Sequence, residues 1–394
     1  QARAVARAIG YPVLVRPSYV LGGRAMQIVE NDEELVRFMG EAQMAGEGRR
    51  VLVDKYFVGR EVEVDAVCDG ETVLIPGIME HVERAGVHSG DSMAIYPGLT
   101  LSKEEVDTVV DYTTRIGLAL QVKGLMNIQY VIVGGPAYRS PGLDTSRDKD
   151  ANTSVYVIEV NPRSSRTIPF ISKVTGVPMV KLAVGAMLDR SLKAQGYRGG
   201  LWHKKNLVAV KAPVFSMSKL SGVDTYLGPE MKSTGEIMGI DVDFHSAFSK
   251  ALIAAGLELR PGGSILLSIA DRDKAEVEDM VRRLASFDFS LYATSGTAEL
   301  IRSLDLEVTE VLKRKEGNPN VVDLIAHGTV DAVVNTEAGE RQSMEDSFTI
   351  RRAAVDRKIP CFTSLDTARA AVESLSKGAV TYSVRPLPAY RGDD

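Results

Sequence analysis

Val157-Ile158-Glu159-Val160-Asn161-Pro162-Arg163 is the stretch that decides how this chain reads. It alternates like a strand and ends in polar residues. Side chains in a strand point alternately to opposite faces, so Glu159 and Asn161 share one face. Ile158 and Val160 are expected on the other, buried face. Pro162 cannot donate to a sheet ladder and stops the strand. A carboxylate and an amide oxygen therefore stand on one edge, with Arg163 and Arg166 just beyond. Hard divalent cations take oxygen ligands of this kind, and polyphosphates take arginines. Met126 to Val133 repeats the pattern, with Asn127 and Gln129 on one face and Ile128 and Tyr130 on the other. If the two strands pair, four oxygen-bearing side chains line one patch. The competing reading is the solvated outer face of a sheet.

Outward from this pair, strands alternate with helices. Gln1 to Gly10 reads as the end of a helix, and with no initiator Met the chain is expected to begin inside a longer polypeptide. Strands are expected at Val13–Arg16, Ala25–Val29 and Val51–Tyr56, with a helix from Asn31 or Asp32 to about Ala45. Glu61 to Cys68 pairs with Thr72 to Ile78 across Asp69-Gly70, a hairpin signal. Ser102-Lys103-Glu104-Glu105 opens a helix with a capping box. Gly134 to Ser154 has the composition of a long, mobile hairpin loop. A helix is expected from Met179 to Arg190, and 196–262 reads as a less regular connector. From Ser264 the pattern becomes a regular α/β alternation: strands at Ile265–Ile269, Leu291–Thr294, Val308–Leu312, Ala332–Asn335 and Cys361–Ser364, each followed by a helix. That rhythm implies a parallel sheet covered on both faces, binding ligands at its C-terminal strand ends. The fold class is thus mixed, α/β with α+β, and the domains fall at 1–195, 196–262 and 263–394.

Composition bounds the partners. The 394 residues are 44% hydrophobic and 25% charged, with net charge −5 and no basic block, so nucleic-acid binding has no electrostatic footprint. Cys68 and Cys361 fit no metal or disulfide spacing, which suits a reducing, cytoplasmic setting. No apolar run is long enough to span a bilayer as a helix.

Three further stretches are candidates. Arg16 to Arg24 places Gly22-Gly23 between two arginines, where backbone approaches a phosphate closely, although alone this reads as a hairpin loop. Glu61, with Lys55, could accept from a ribose hydroxyl; taken alone it reads as a solvated acid. Glu80-His81-Val82-Glu83, followed by Gly86 to Ser92, reads as a polar loop near a substrate, its histidines more in keeping with structural roles.

In order, these motifs resemble the large subunit of carbamoyl phosphate synthetase. The matching stretches are Val15 to Met26, Gly77-Ile78-Met79-Glu80-His81, Gly86 to Ser92, Gly124 to Gln129, Ile158 to Arg163 and Leu227 to Glu236. The resemblance implies the second of two ATP-grasp halves, truncated at its front, followed by a Rossmann-like, methylglyoxal-synthase-like regulatory domain. It implies ATP-dependent phosphorylation of carbamate for pyrimidine and arginine synthesis, with Mg²⁺ or Mn²⁺. By position, Gln129, Glu159 and Asn161 are the implied metal ligands, and Arg16, Lys55, Glu61, His88 and Ser89 the implied nucleotide contacts. Arg166 and Asn161 would act on the transferring phosphoryl group. Ser268, Lys274, Thr294, Thr297, Lys313, Asn335 and Thr336 match an effector phosphate site for UMP or IMP, weakened where Glu337 replaces threonine. Glu83, Asp91 and Thr363 match an ornithine site in which Ala212 replaces an acid. The implied partners are the rest of the large subunit and a small glutamine amidotransferase subunit, with no nucleic acid or membrane. The alternatives are a fragment that only binds an effector, or another ATP-grasp carboxylate ligase.

Overall fold

The computed structural model describes residues 1–18, 22–45, 50–134, 152–217, 222–336, 341–375 and 384–392. The central part of the Gly134–Ser154 loop, and Glu337, lie outside the described residues. Contacts divide the chain into two compact units. One comprises 1–207, 227–232 and 385–394, the other 208–226 and 233–384. The 196–262 stretch expected as a connector is therefore shared between them.

The first unit opens with the helix Ala2–Ile9, which ends at Gly10 with φ +85. A three-stranded antiparallel sheet follows, Gln27–Val29 and Val51–Lys55 flanking Val13–Pro17. The helix Asp32–Ala45 packs on it around Val13, Val15, Val29 and Leu35. Asn31 is its cap, the side-chain oxygen accepting from the amides of Glu33 and Glu34 at 3.1 and 2.9 Å.

A larger sheet holds the polar face. Arg60–Asp69 pairs with Val73–Ile75, Ile78–Arg84 and Lys123–Val133, and the last pairs in turn with Ser154–Asn161. The Asp69-Gly70 turn is made as expected, Asp69 accepting from the amides of Glu71 and Thr72. One face is apolar: Val62, Val64, Ala66 and Cys68 pack with Met126, Ile128, Tyr130 and Ile132. The helix Lys103–Ala119 covers it, capped by the Ser102/Glu105 box. Tyr130 brings its hydroxyl into this core and lies 2.7 Å from the Thr113 hydroxyl, so burial leaves it paired. The helix Met179–Met187 packs against the same two long strands. It is shorter than expected, and the preceding helix Ile168–Thr175, with proline at its second position, was not expected at all.

Two other expectations change. Ile158 is 47% exposed rather than buried. Pairing runs Gln129↔Glu159 and then Tyr130↔Val157, so Ile158 is the extra residue of a bulge. Glu80-His81-Val82-Glu83 is not a loop; it lies within the strand Ile78–Arg84, and all four residues are buried. The buried charge is matched from a distance. Arg60 Nη2 reaches Glu105 Oε1 at 2.5 Å and its Nη1 reaches Glu80 Oε1 at 3.4 Å, while Glu80 also accepts from the Thr100 amide at 3.0 Å.

In the second unit, Val208–Val214 and Gly235–Asp241 form an antiparallel pair, and the helix Phe244–Ala255, capped by Asp243, packs on both. These are regular elements within the stretch expected as a less regular connector. Five parallel strands follow in the order Thr309–Val311, Ser290–Thr294, Ser264–Ser268, Ala332–Asn335, Cys361–Phe362. The expected parallel sheet is present. Its first crossover differs in detail, starting as a 3-10 turn, Asp271–Glu276, before the helix Glu278–Ser286. Among the described residues, no single helix is long and apolar enough to cross a membrane.

Candidate active site

Strand periodicity builds the site. Glu61, Glu63 and Asp65 alternate along Arg60–Asp69 on the face opposite Val62 and Val64. Register then aligns two rows across three strands. Glu63 stands opposite Gln129, and Gln129 opposite Glu159. Asp65 stands opposite Asn127, and Asn127 opposite Asn161. The conditional expectation that the two polar strands pair is met, and the patch continues onto a third strand.

The outer end of the rows is open and the inner end is buried. Glu159 is exposed, and its Oε1 accepts from Asn161 Nδ2 at 2.7 Å. Gln129 donates its amide nitrogen to Ser89 Oγ at 2.8 Å, which leaves its carbonyl oxygen as the remaining acceptor. Glu63 and Asp65 are nearly inaccessible. Asn127 Nδ2 donates to both, at 2.8 and 2.9 Å. His81, on the neighbouring strand, lies 3.2 Å from Glu63 and 3.5 Å from Glu61. Ser165 and Thr167 close the inner end, donating to Asp65 at 2.6 and 2.5 Å.

Burial sets the proton affinities here. Glu61, 3% exposed, is not the solvated acid expected from sequence. Loss of solvent raises its carboxyl to about 7; His81 opposes the rise, and Glu63, Glu159 and Glu83 add to it. Asp65 is pushed up as well, by burial first and Glu63 second, against the hydrogen bonds from Ser165, Thr167 and Asn127.

The remaining expected nucleotide contacts are more scattered. His88 donates its amide to the Gly228 carbonyl at 2.8 Å, and its Nδ1 accepts from the Gly90 amide. Arg166 reaches the Met231 sulfur at 3.5 Å. The segment 227–232 therefore seats against both the His88 loop and the arginine. Arg16 and Lys55 lie on the three-stranded sheet instead. Arg16 pairs with Asp54 at 2.5 Å, and Lys55 donates to the carbonyl of Gly10 at 2.8 Å. Glu63, Asp65, Ser165 and Thr167 were missed, while His81, expected in a structural role, sits between Glu61 and Glu63; the signal for the acids was the alternation Glu61-Val62-Glu63-Val64-Asp65.

The expected effector residues gather at the C-terminal ends of the parallel strands. Ser268, Thr294 and Asn335 end three adjacent strands, with Ser268 opposite Asn335. Thr297 Oγ1 accepts from the Ile269 amide and Thr336 Oγ1 from the Ala270 amide, so two of the set brace one turn. Asn335 Oδ1 accepts from the buried Arg351 at 3.0 Å. Lys274 pairs with Asp271 at 2.6 Å, and the Lys313 side chain is exposed. Glu83 and Asp91 are buried in the first unit, accepting from the amides of Met93 and Lys232. Thr363 and Ala212 are buried in the second.

Comparison with known proteins agrees with this division. Residues 1–194 match the family described as carbamoyl-phosphate synthase L chain, ATP binding domain, and residues 276–363 the MGS-like domain. The chain is 53% identical over 393 residues to the carbamoyl phosphate synthase large chain of Thermomicrobium roseum, covering 99% of this chain and 35% of that one. Against that of Thermoanaerobacter pseudethanolicus it is 48% identical over 376 residues, covering 95% and 33%. The chain thus spans about a third of the length of the curated relatives it matches. One solved structure, the biotin carboxylase domain of Hydrogenobacter thermophilus 2-oxoglutarate carboxylase, superposes with TM-score 0.45 at 21% identity, over 64% of this chain and 58% of that one. The architecture is an ATP-grasp-type mixed α/β domain with a methylglyoxal-synthase-like parallel sheet, and the chain belongs to the carbamoyl phosphate synthase large chain family.

Proposed function

We propose that residues 1–195 supply part of the site that phosphorylates carbamate, giving carbamoyl phosphate and ADP. The observation that carries this reading is the pair of cross-strand rows ending at Glu159 and Asn161, next to Arg163 and Arg166. In the reaction, a carbamate oxygen forms a bond to the γ-phosphorus of ATP. The bond to the β,γ-bridging oxygen breaks, and ADP leaves with that electron pair.

The residues fit a magnesium–phosphate complex. Among the described residues, no group of three or more His, Cys, Asp or Glu could hold a metal ion alone. Magnesium instead prefers one or two carboxylates with phosphate oxygens and water, and the donors here are one carboxylate and two amide oxygens. Gln129, Glu159 and Asn161 would hold the ion, which when bound neutralises phosphate charge. Ser89 orients Gln129 by taking its amide nitrogen, and Asn161 orients Glu159. Arg163 and Arg166 offer fixed positive charge to the three oxygens of the transferring group.

The strand-end cluster in the second unit favours a nucleotide-phosphate effector, UMP or IMP, bound near Ser268, Thr294 and Lys274. The partners in this reading are the rest of a large subunit and a glutamine-hydrolysing small subunit, in the cytoplasm. The test uses a full-length large chain containing this segment. Glu159→Gln is expected to abolish ATP formation from carbamoyl phosphate and ADP; retained activity removes the metal-ligand role. Calorimetry with UMP and with IMP tests the effector role, and no heat with either removes it.

A further inference from the structure

The arginines of the site stand on a short loop, 162–166, between the strand Ser154–Asn161 and the helix Ile168–Thr175. A five-residue loop holds two long cations in place only if its ends are fixed. At the first end, the Arg163 amide donates to the Asn161 carbonyl at 2.8 Å, and Asn161 is registered against Asn127. At the second, the Ser165 and Thr167 hydroxyls lie 2.8 Å apart. Both point at one carboxyl group, that of Asp65, more than ninety residues earlier in the chain.

Asp65 reaches both ends at once. Its Oδ1 accepts from Ser165 at 2.6 Å and from Asn127 at 2.9 Å, and its Oδ2 accepts from Thr167 at 2.5 Å. The side chain is fully buried, so these bonds form where water does not compete. Thr167 gives up its usual role to make this bond. It is the N-cap residue of the helix, where a threonine hydroxyl normally accepts from the second or third amide, and it makes no such cap bond. Asp65 touches neither the open end of the rows nor the arginines, so its influence on chemistry has to pass through the loop.

We infer that Asp65 is a positioning residue: through Ser165, Thr167 and Asn127 it fixes the loop that presents Arg163 and Arg166 to the transferring phosphoryl group. The inference rests on the carbamate-kinase reading above. Displacement of such a group by about 1 Å costs roughly 10²-fold in rate.

The experiment uses the full-length large chain and measures ATP formation from carbamoyl phosphate and ADP. ADP calorimetry counts folded sites, and rates are expressed per competent site. Asp65→Asn and Thr167→Val are expected to lose roughly 10²-fold per competent site, while Thr167→Ser, which keeps the hydroxyl, recovers most of the rate. If the losses vanish once rates are normalised, Asp65 only stabilises the fold and the inference is wrong. Arg166→Ala separates the two layers. If it retains normal turnover, the carbamate-kinase reading fails and takes this inference with it. If it is inactive while Asp65→Asn and Thr167→Val run normally, only the positioning role fails.

Discussion

Glu61 offers the sharpest test of the buried cluster. Its carboxyl lies in the unfolded chain near 4.5 and in the folded chain at about 7, chiefly because burial penalises the charged form. Between those values the folded protein holds a proton that the unfolded chain has released. Stability is therefore greatest at low pH and falls as pH rises toward 7, the reverse of the usual salt-bridged carboxylate. The rise from 4.5 to about 7 corresponds to about 3 kcal/mol in total. Of this, about 2 kcal/mol is lost between about pH 5.5 and about pH 8.5. Glu61→Gln removes the titration and keeps the shape. Urea unfolding of both proteins across that range is expected to show the variant gaining about 2 kcal/mol on the parent as pH rises. Contributions from Asp65 and other groups cancel in the difference to the extent that they are unchanged. A difference that stays flat with pH would show Glu61 ionised or hydrated throughout, and the account of the cluster would be wrong.

Arg60→Met strands Glu80 and Glu105 in the interior, and chemical denaturation is expected to show a loss of about 3–5 kcal/mol. A change below about 1 kcal/mol, the level of an exposed pair, would contradict that. Asn320 caps the helix Val321–Ala326, with the Asp323 carboxylate accepting in return from the Asn320 amide, so Asn320→Ala should cost about 1–2 kcal/mol in thermal unfolding. Gly23 has φ +69, and a Cβ there would collide with the Pro229 backbone. Gly23→Ala is expected to loosen the segment 227–232, read as faster proteolysis there, and an unchanged cleavage pattern would count against this packing.

Local pattern carried much of this fold. The alternation in Met126–Val133 and Val157–Asn161 was enough to put Asn127, Gln129, Glu159 and Asn161 on one polar patch once the strands pair, but the partner of each residue follows from the register in space. The capping box at Ser102 and the turn at Asp69 were equally local, and both are present. What sequence concealed was set by distant partners. The Ile158 bulge depends on how two strands meet, not on either strand alone. Glu80, His81 and Glu83 looked like loop residues because nothing near them in sequence offsets their burial; Arg60, Thr100 and Met93 do so in space. Glu61 misled for the same reason. Its alternation with Glu63 and Asp65 was visible, but the covering layer that makes them interior was not.

The path of the chain between its compact units limits how it can be cut. Residues 227–232 lie with the first unit although 208–226 and 233–384 lie with the second, and 385–394 return to the first. A break at any single peptide bond near residue 207 leaves the downstream piece carrying two stretches that belong to the upstream one. Among these is Met231, which touches Arg166, and Arg391, which donates to the Lys173 carbonyl at 2.9 Å. Gene splitting and domain swapping at one junction would thus deliver halves with missing parts on one side and orphaned parts on the other. A clean separation would need the 227–232 stretch bridged by a linker and the final segment grafted back onto the first piece.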